Sequence, residues 1–445
     1  MPQDSAKRID VDFAGPLPPI RALHGINFGP RYDGTKDLSD YFRAAGFPSF
    51  RLHDCPYVCR NTVDIHCLFP LFHLDERDPA NWTFGPTDDY LTAVRALGGD
   101  IIYRLGPTIE HQQPKYFIHP PADFDKWARI CCQIIRHYNE GWANGFHHGI
   151  VRWEIWNEPW HPSMWTGTAE QYYRLYEISS KAIKREFPHL KIGGADALRG
   201  EYARNFLAHC RKHDCPMDFF CWHLYARTPR EIVDSARDAK KLLEEYGYDR
   251  AELNFNEWNW FPEEDWTWMG NPGRTRRFHE RIGSAEAAAF TAASLSFLQD
   301  EPMDMANWYA PFIGQWGMFD LFAKPLKPYY AFLAFNSMLE TPCRVKADGG
   351  NLNTGLSVLA GLDKGQRQAR LLISNFADPA VSHVRLTLKN LPQGPWRCEA
   401  YLLNDALDLQ PVEICSVGDG RTDLTLSVPP ASVRLLKLQP EGRAT

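Results

Sequence analysis

Over roughly its first 330 residues the chain repeats one hydropathy theme. A short apolar or β-branched run ends in polar positions, and a stretch with apolar residues at helical spacing follows. The candidate strand runs are 22–28 (ALHGINF), 47–52 (FPSFRL), 101–106 (IIYRLG), 151–157 (VRWEIWN), 191–195 (KIGGA), 219–223 (FFCWH), 252–256 (ELNFN) and 305–310 (MANWYA). They are continuous rather than alternating, as parallel strands buried on both faces require. Helical patterns cover 87–97, 168–186, 229–246 and 284–298, and Thr168 and Gln171 stand at capping-box spacing. Eight strand–helix alternations predict an α/β chain folded as a (β/α)8 TIM barrel. A doubly wound sheet is the alternative, but no Gly-x-Gly-x-x-Gly follows the first strand.

The pattern changes near residue 342. Short alternating runs appear at 356–362, 368–376, 384–388, 396–403, 422–428 and 433–438, separated by turn-rich pieces such as DKGQ and NLPQGP. They predict a C-terminal antiparallel β-sandwich. Residues 9–13 (IDVDF) also alternate. The expected division is an N-terminal segment, 1–14, able to add a strand to the sandwich, then a catalytic barrel, 15–341, and an accessory sandwich, 342–445. A helix over 328–337 joins the two. Trp396 and Tyr401 are the chief aromatic candidates for glycan contact in the sandwich, and packing against the barrel is its simpler role.

Composition narrows the function. With 44% hydrophobic and 23% charged residues, wholesale disorder and rod-like folds are excluded. The net charge of -6 gives no basic excess, so no nucleic-acid partner is expected. No apolar run reaches the length of a membrane span. The first residues, MPQDSAKRIDVDF, lack the apolar core of a secretory signal, so a cytoplasmic location is expected. The 11 cysteines are too sparse for a disulfide scaffold and read as reduced thiols. Tryptophan, at 15 residues, is in excess, which suits neutral, stackable ligands such as sugars.

Two segments carry the chemistry. Trp153-Glu154-Ile155-Trp156-Asn157-Glu158-Pro159 ends candidate strand four, and Leu253-Asn254-Phe255-Asn256-Glu257-Trp258-Asn259 ends candidate strand seven. In such a barrel the catalytic groups come from the C-terminal strand ends, so Glu158 and Glu257 project from one rim. Strict alternation places Glu154, Trp156 and Glu158 on one side and Asn157 on the other. Cleavage of a glycosidic bond needs two carboxyls, one to protonate the leaving oxygen and one to attack the anomeric carbon or activate water. Each Glu alone can equally be half of an ion pair with Arg51, Arg104 or Arg152. Trp156, Trp160, Trp222, Trp258, Trp260 and Trp308 are candidates for apolar walls facing a sugar.

These residues resemble those of the large clan of (β/α)8 retaining glycosidases. More narrowly, the chain is similar to glycoside hydrolase family 39, the family of β-xylosidases and α-L-iduronidases. The resemblance rests on Arg51-Leu52-His53-Asp54, Tyr103-Arg104-Leu105-Gly106 with Ile109-Glu110-His111, the two Glu segments, and Asp218-Phe219-Phe220-Cys221-Trp222-His223, all in order. It implies that Glu158 is the general acid/base and Glu257 the nucleophile. It implies that Asn157 binds the hydroxyl beside the anomeric carbon and that His53 and His223 line the glycone subsite. The expected substrate contacts are thus His53, Glu110, His111, Trp156, Asn157, Trp160, His223, Trp258 and Trp308, with no cofactor and no metal. The implied activity is exo-acting hydrolysis with retention, a β-D-xyloside being the first expectation. Alternatives are α-L-arabinosides, β-glucosides, β-galactosides, an iduronidase-like uronide substrate using Arg274, Arg276 or Arg277, or a non-catalytic carbohydrate-binding protein. The expected partner is an oligosaccharide or small glycoside, with a homo-oligomer possible.

Three other constellations are weaker. His209-Cys210, His213 and Cys215 crowd together, but without the usual paired cysteines of a zinc site, and they read as a solvated helix end. His53-Asp54-Cys55, Cys59 and His66-Cys67 sit in a long loop, roughly 53–84, at the mouth of the barrel. Cys221 and His223 share a strand face, but no third group orients them as a nucleophilic pair.

Overall fold

The computed structural model describes residues 7–441 apart from 60, 111, 264, 315, 393 and 419. Eight parallel strands close into a barrel in sequential order. They are β1 (Gly25–Asn27), β2 (Ser49–Leu52), β3 (Asp100–Leu105), β4 (Arg152–Ile155), β5 (Lys191–Gly194), β6 (Phe219–Ala226), β7 (Glu252–Trp260) and β8 (Met305–Trp308). Each is followed by a helix: α1 (Ser39–Ala45), α2 (Gly85–Arg95), α3 (Phe124–Glu140), α4 (Ala169–Glu186), α5 (Gly200–Lys212), α6 (Pro229–Glu245), α7 (Ala285–Phe297) and α8 (Lys327–Met338). An extra helix, Pro272–Ile282, lies between β7 and α7.

Local chemistry sets these boundaries. Asp123 caps α3 by accepting from the Lys126 amide, and Gly141 ends the helix in the left-handed conformation. Thr168 and Gln171 form a complete capping box at the start of α4. Gly193 is required by close approach: a Cβ there would meet the Phe219 carbonyl oxygen of the next strand at 2.3 Å. β6 and β7 run further than the apolar runs alone suggest, because Tyr225 and Asn259 continue the ladder between them.

Helix α7 is alanine-rich and buried all round, as expected of a helix with protein on every side. It lies between the barrel and the second sheet, and Ser374 of that sheet donates to its Ala289 carbonyl. The apolar core of the barrel runs on into Leu359, Leu372 and Leu435 of the sheet.

The second sheet has nine strands, in the order Asp408–Val417, Trp396–Leu403, Ser432–Pro440, Ala369–Asn375, Leu356–Leu362, Cys343–Asp348, Lys7–Pro16, His383–Leu391 and Gly420–Ser427. All neighbours are antiparallel except Lys7–Pro16 beside His383–Leu391. One buried cluster unites Trp396 and Val417 from one end with Ile9, Leu386 and Leu426 from the other, so the sheet folds over its own core. Two of its strands escape the hydropathy pattern. Asp408–Val417 is an edge strand, mostly exposed and carrying Pro411, as edges tolerate. Cys343–Asp348 buries only Arg344 and Val345. Among the described residues no helix is long and apolar enough to cross a membrane.

Candidate active site

The catalytic rim is organised by a cation. Arg51, on β2, is fully buried and ionised among acids. Its Nε and Nη2 donate to Glu154 at 2.8 and 2.5 Å. Nη2 also donates to Asn157 Oδ1 at 2.6 Å, and Nη1 donates to Glu257 Oε2 at 3.0 Å and to Asn27 Oδ1 at 3.2 Å. The ion pair weighed as an alternative for a strand-end Glu is therefore present. It holds Glu257 rather than hiding it.

Glu158 lies three residues beyond the end of β4. Trp156 adopts φ 71° and Glu158 φ 42°, both in the left-handed region that side chains disfavour. This corrects the strict alternation. Trp156 swings outward, where its indole donates to the Met164 carbonyl and packs on Trp127 and Trp165. Asn157 turns inward to Arg51. Gly106 makes room, since a Cβ there would meet Trp156 Cα at 3.2 Å. The Glu158 amide donates to Asp196 Oδ2 at 3.0 Å, which fixes the turn.

Glu257 lies within β7, where the register with both neighbours shifts between Asn254 or Phe255 and the residues after it. Its Oε1 accepts from the Tyr225 hydroxyl at 2.5 Å. Burial pushes its carboxyl above the ordinary range, and the Glu158 charge adds to this. His223, Arg51 and Tyr225 pull the other way. A carboxylate oxygen of Glu158 and one of Glu257 lie within 4.8 Å of each other.

His223, on β6, stands between them. Its Nδ1 is 2.8 Å from Glu158 Oε1 and 3.5 Å from Glu257 Oε2, and its Nε2 is 3.5 Å from Asp196 Oδ1. Burial disfavours its cation, but Glu257 and Asp196 outweigh burial and hold its pKa well above the usual histidine value. Asp196 responds in kind. Burial works against its charge, yet His223 and Arg51 bring it down to about 2. The donor atoms of Glu158, His223 and Glu257 are close enough to chelate a cation. A protonated imidazole offers no lone pair, however.

The remaining expected residues divide. His53 is buried at the end of β2, held neutral by burial and by Arg51 and Arg104, with Nδ1 unpartnered among the described residues. Trp160 is 43% exposed beside Glu158, its indole donating to the Asp196 carbonyl. Three tryptophans are corrected. Trp156, Trp258 and Trp308 are buried behind the barrel wall, Trp258 against Phe290 of α7 and Trp308 against Phe332 of α8. They pack strands onto helices and face no ligand. Glu110 is corrected too. Its carboxylate accepts from the amides of Tyr116, Phe117 and Ile118 and from Gln112, so it clasps its own loop. His111 lies outside the described residues. Cys221 packs inside the barrel with Ile102 and Phe219, its thiol pushed up by burial.

The sequence reading missed four groups. Tyr225 is two positions after His223 on one strand face, so alternation alone points to it. Tyr309 donates to Asp54 Oδ2 at 2.9 Å. Burial, with the Glu257 charge adding to it, pushes Asp54 up to about 7 against the pull of that hydrogen bond. Tyr225, Tyr309 and Trp316 pack with ring centroids 5.3–6.2 Å apart, forming an aromatic wall on the Glu257 side. Asp196 follows a Gly-Gly-Ala run and carries no local motif.

The chain resembles known proteins over this same region. Residues 108–253, which hold Asn157, Glu158 and His223, match the model of "Glycosyl hydrolases family 39". Over those residues the chain is similar to glycosyl hydrolase family 39. It is 25% identical over 249 residues to a β-xylosidase of Geobacillus stearothermophilus, covering 50% of this chain and 48% of that protein. It is 22% identical over 403 residues to a β-xylosidase of Caldicellulosiruptor saccharolyticus, covering 81% and 76%. The chain thus spans about half the length of the first relative. Among solved structures, a glucosidase from Croceicoccus marinus superposes with a TM-score of 0.82 at 23% identity, covering 99% of this chain and 100% of that one. That likeness shows the barrel-plus-sheet fold.

Proposed function

We propose that the protein is a retaining glycoside hydrolase that removes one terminal sugar, a β-D-xyloside in the first instance. One observation carries the reading: two glutamates from β4 and β7 lie with carboxylate oxygens within 4.8 Å of each other. Retaining enzymes hold their carboxyls about 5–5.5 Å apart, and inverting enzymes need about 6.5–9.5 Å to admit a water.

In this reading Glu257 is the nucleophile. Arg51 and Tyr225 orient its carboxylate. It attacks the anomeric carbon while Glu158 gives a proton to the departing glycosidic oxygen. The C–O bond to the leaving group breaks as the ester to Glu257 forms. The Glu158 carboxylate then takes a proton from a water, whose oxygen attacks the same carbon and releases Glu257. The His223 imidazolium, backed by Asp196, donates its Nδ1–H to Glu158 and is the source from which Glu158 regains the proton it delivers. Asn157, fixed by Arg51 through its Oδ1, keeps its amide N–H groups for the 2-hydroxyl, a contact that strengthens as the ring gains positive charge.

The enclosure by Tyr225, Tyr309 and Trp316 favours a pocket over an open cleft. The two β-xylosidase relatives support a xyloside. Arg274 is bound to Glu263 and Asp265, and Arg276 pairs with Glu280 on the surface, so neither favours a uronide.

The test is initial rates on aryl β-D-xyloside, α-L-arabinoside, β-D-glucoside, β-D-galactoside and α-L-iduronide, with wild type and Glu257→Ala in parallel. The expected result is one preferred glycoside, the xyloside, whose cleavage the substitution abolishes. Activity that survives Glu257→Ala overturns the nucleophile assignment, and inversion of the released sugar, read by NMR, overturns the mechanism.

A further inference from the structure

A second cluster of ligating side chains lies on the outer helices. The chain in a barrel helix runs opposite to the strand before it, so the last turn of α5 is at the face away from the catalytic rim. There His209 and His213 are four residues apart, on one side of the helix. Their rings stack with centroids 4.3 Å apart. Glu177 reaches them from α4. His209 Nε2 is 3.2 Å and His213 Nδ1 is 3.6 Å from the same oxygen, Glu177 Oε2. One donor atom from each of the three lies within 4.8 Å of the others.

These distances suit a shared ion. Zinc binds imidazole nitrogen and carboxylate oxygen at about 2.0–2.2 Å, so the edge of its tetrahedron is about 3.3 Å. Both His–Glu separations bracket that edge. The carboxylate is divided to match. Oε1 takes Arg174 and Lys181 at 3.0 Å each, which leaves Oε2 turned to the histidines. The histidine side chains are 20% and 35% exposed, so an ion can enter and water can supply a fourth ligand. Two imidazoles with one carboxylate select borderline ions over Mg2+ or Ca2+, which take oxygen ligands.

We propose that Glu177, His209 and His213 form a site for a borderline divalent cation such as Zn2+, which ties the last turn of α5 to α4. Read by spacing alone the segment lacks a second ligand pair. The missing ligand is Glu177, supplied by a neighbouring helix. Cys210 is buried, and neither it nor Cys215 belongs to the cluster.

The experiment is titration of the metal-free full chain with Co2+, read by its visible absorption, followed by displacement with Zn2+. Wild type is compared with His213→Ala and Glu177→Gln, with far-UV circular dichroism on each. A single saturable equivalent is expected in wild type, weakened by about tenfold or more in each folded variant, with glycoside turnover unchanged by the metal. Equal binding in wild type and in both variants overturns the site, as does the absence of saturation. Inhibition of turnover in step with binding overturns it too, by placing the ion on Glu158 and Glu257. His213 caps the helix and is partly exposed, so its variant keeps the test open should Glu177→Gln misfold.

Discussion

His223 Nδ1 lies 2.8 Å from Glu158 Oε1, while its Nε2 faces Asp196 at 3.5 Å. In the proposed mechanism the imidazolium is a proton donor to Glu158, with Asp196 behind it. Replacing His223 with Ala leaves Glu158 present but without that partner. The expected loss in kcat is about 10²–10⁴-fold, the usual contribution of a positioned proton-transfer group. The pH–rate profile should lose its original shape. A folded variant with a lower kcat but the same profile would instead assign His223 a packing role.

Arg51 ties together four side chains of the site, Glu154, Asn157, Glu257 and Asn27. Arg51→Met strands Glu154 without its buried counter-charge and removes one of the cations beside Glu257. Breaking a buried pair by removing one partner costs about 3–5 kcal/mol. Chemical denaturation should show that loss. Arg51→Lys should rescue little, because one ammonium cannot make the parallel contacts to Glu154, Asn157 and Glu257.

Asp54 gives stability a pH dependence of unusual sign. Its folded pKa, about 7, is above the ordinary aspartate value. Between the unfolded and folded values the native state holds the extra proton. Stability is therefore full at low pH, declines as pH rises from about 4 to about 7, and stays reduced above that, by about 4 kcal/mol. Asp54→Asn should remove this slope. Denaturation midpoints of wild type and variant at pH 5 and pH 8 measure it, and parallel shifts in the two proteins would refute it.

Glu110 predicts a local effect. Its carboxylate holds three consecutive amides, 116–118. Glu110→Ala should cost about 1–3 kcal/mol and expose those amides to hydrogen exchange, while the barrel strands stay protected. Unchanged exchange at 116–118 would show that the loop is held by other contacts.

Much of this was legible beforehand. The eightfold alternation reports the barrel because parallel strands and amphipathic helices differ in period. Strand-end placement singled out Glu158 and Glu257, the family resemblance added Asn157 and His223, and the structure brings the four together on one rim. The tryptophans misled for the same geometric reason. Trp258 is next to Glu257 in sequence, so it faces the opposite side of the strand, into the helix layer. Trp156 lies outside through a left-handed turn that no hydropathy pattern records. Asp196 and Tyr309 were missed because their partners, His223 and Asp54, are distant in sequence. Glu110 was misassigned because a buried loop carboxylate reads alike whether a substrate or its own backbone satisfies it.

The strand Lys7–Pro16 pairs with Cys343–Asp348 and His383–Leu391. During synthesis it precedes both partners, by at least 327 residues. At about 5–20 residues per second, this strand is on the ribosome for tens of seconds with both edges open. Its charges, Lys7, Arg8, Asp10 and Asp12, help keep such an edge from pairing with a neighbour's. The barrel can close early, but the molecule is locked only when Cys343–Asp348 and His383–Leu391 arrive to receive Lys7–Pro16.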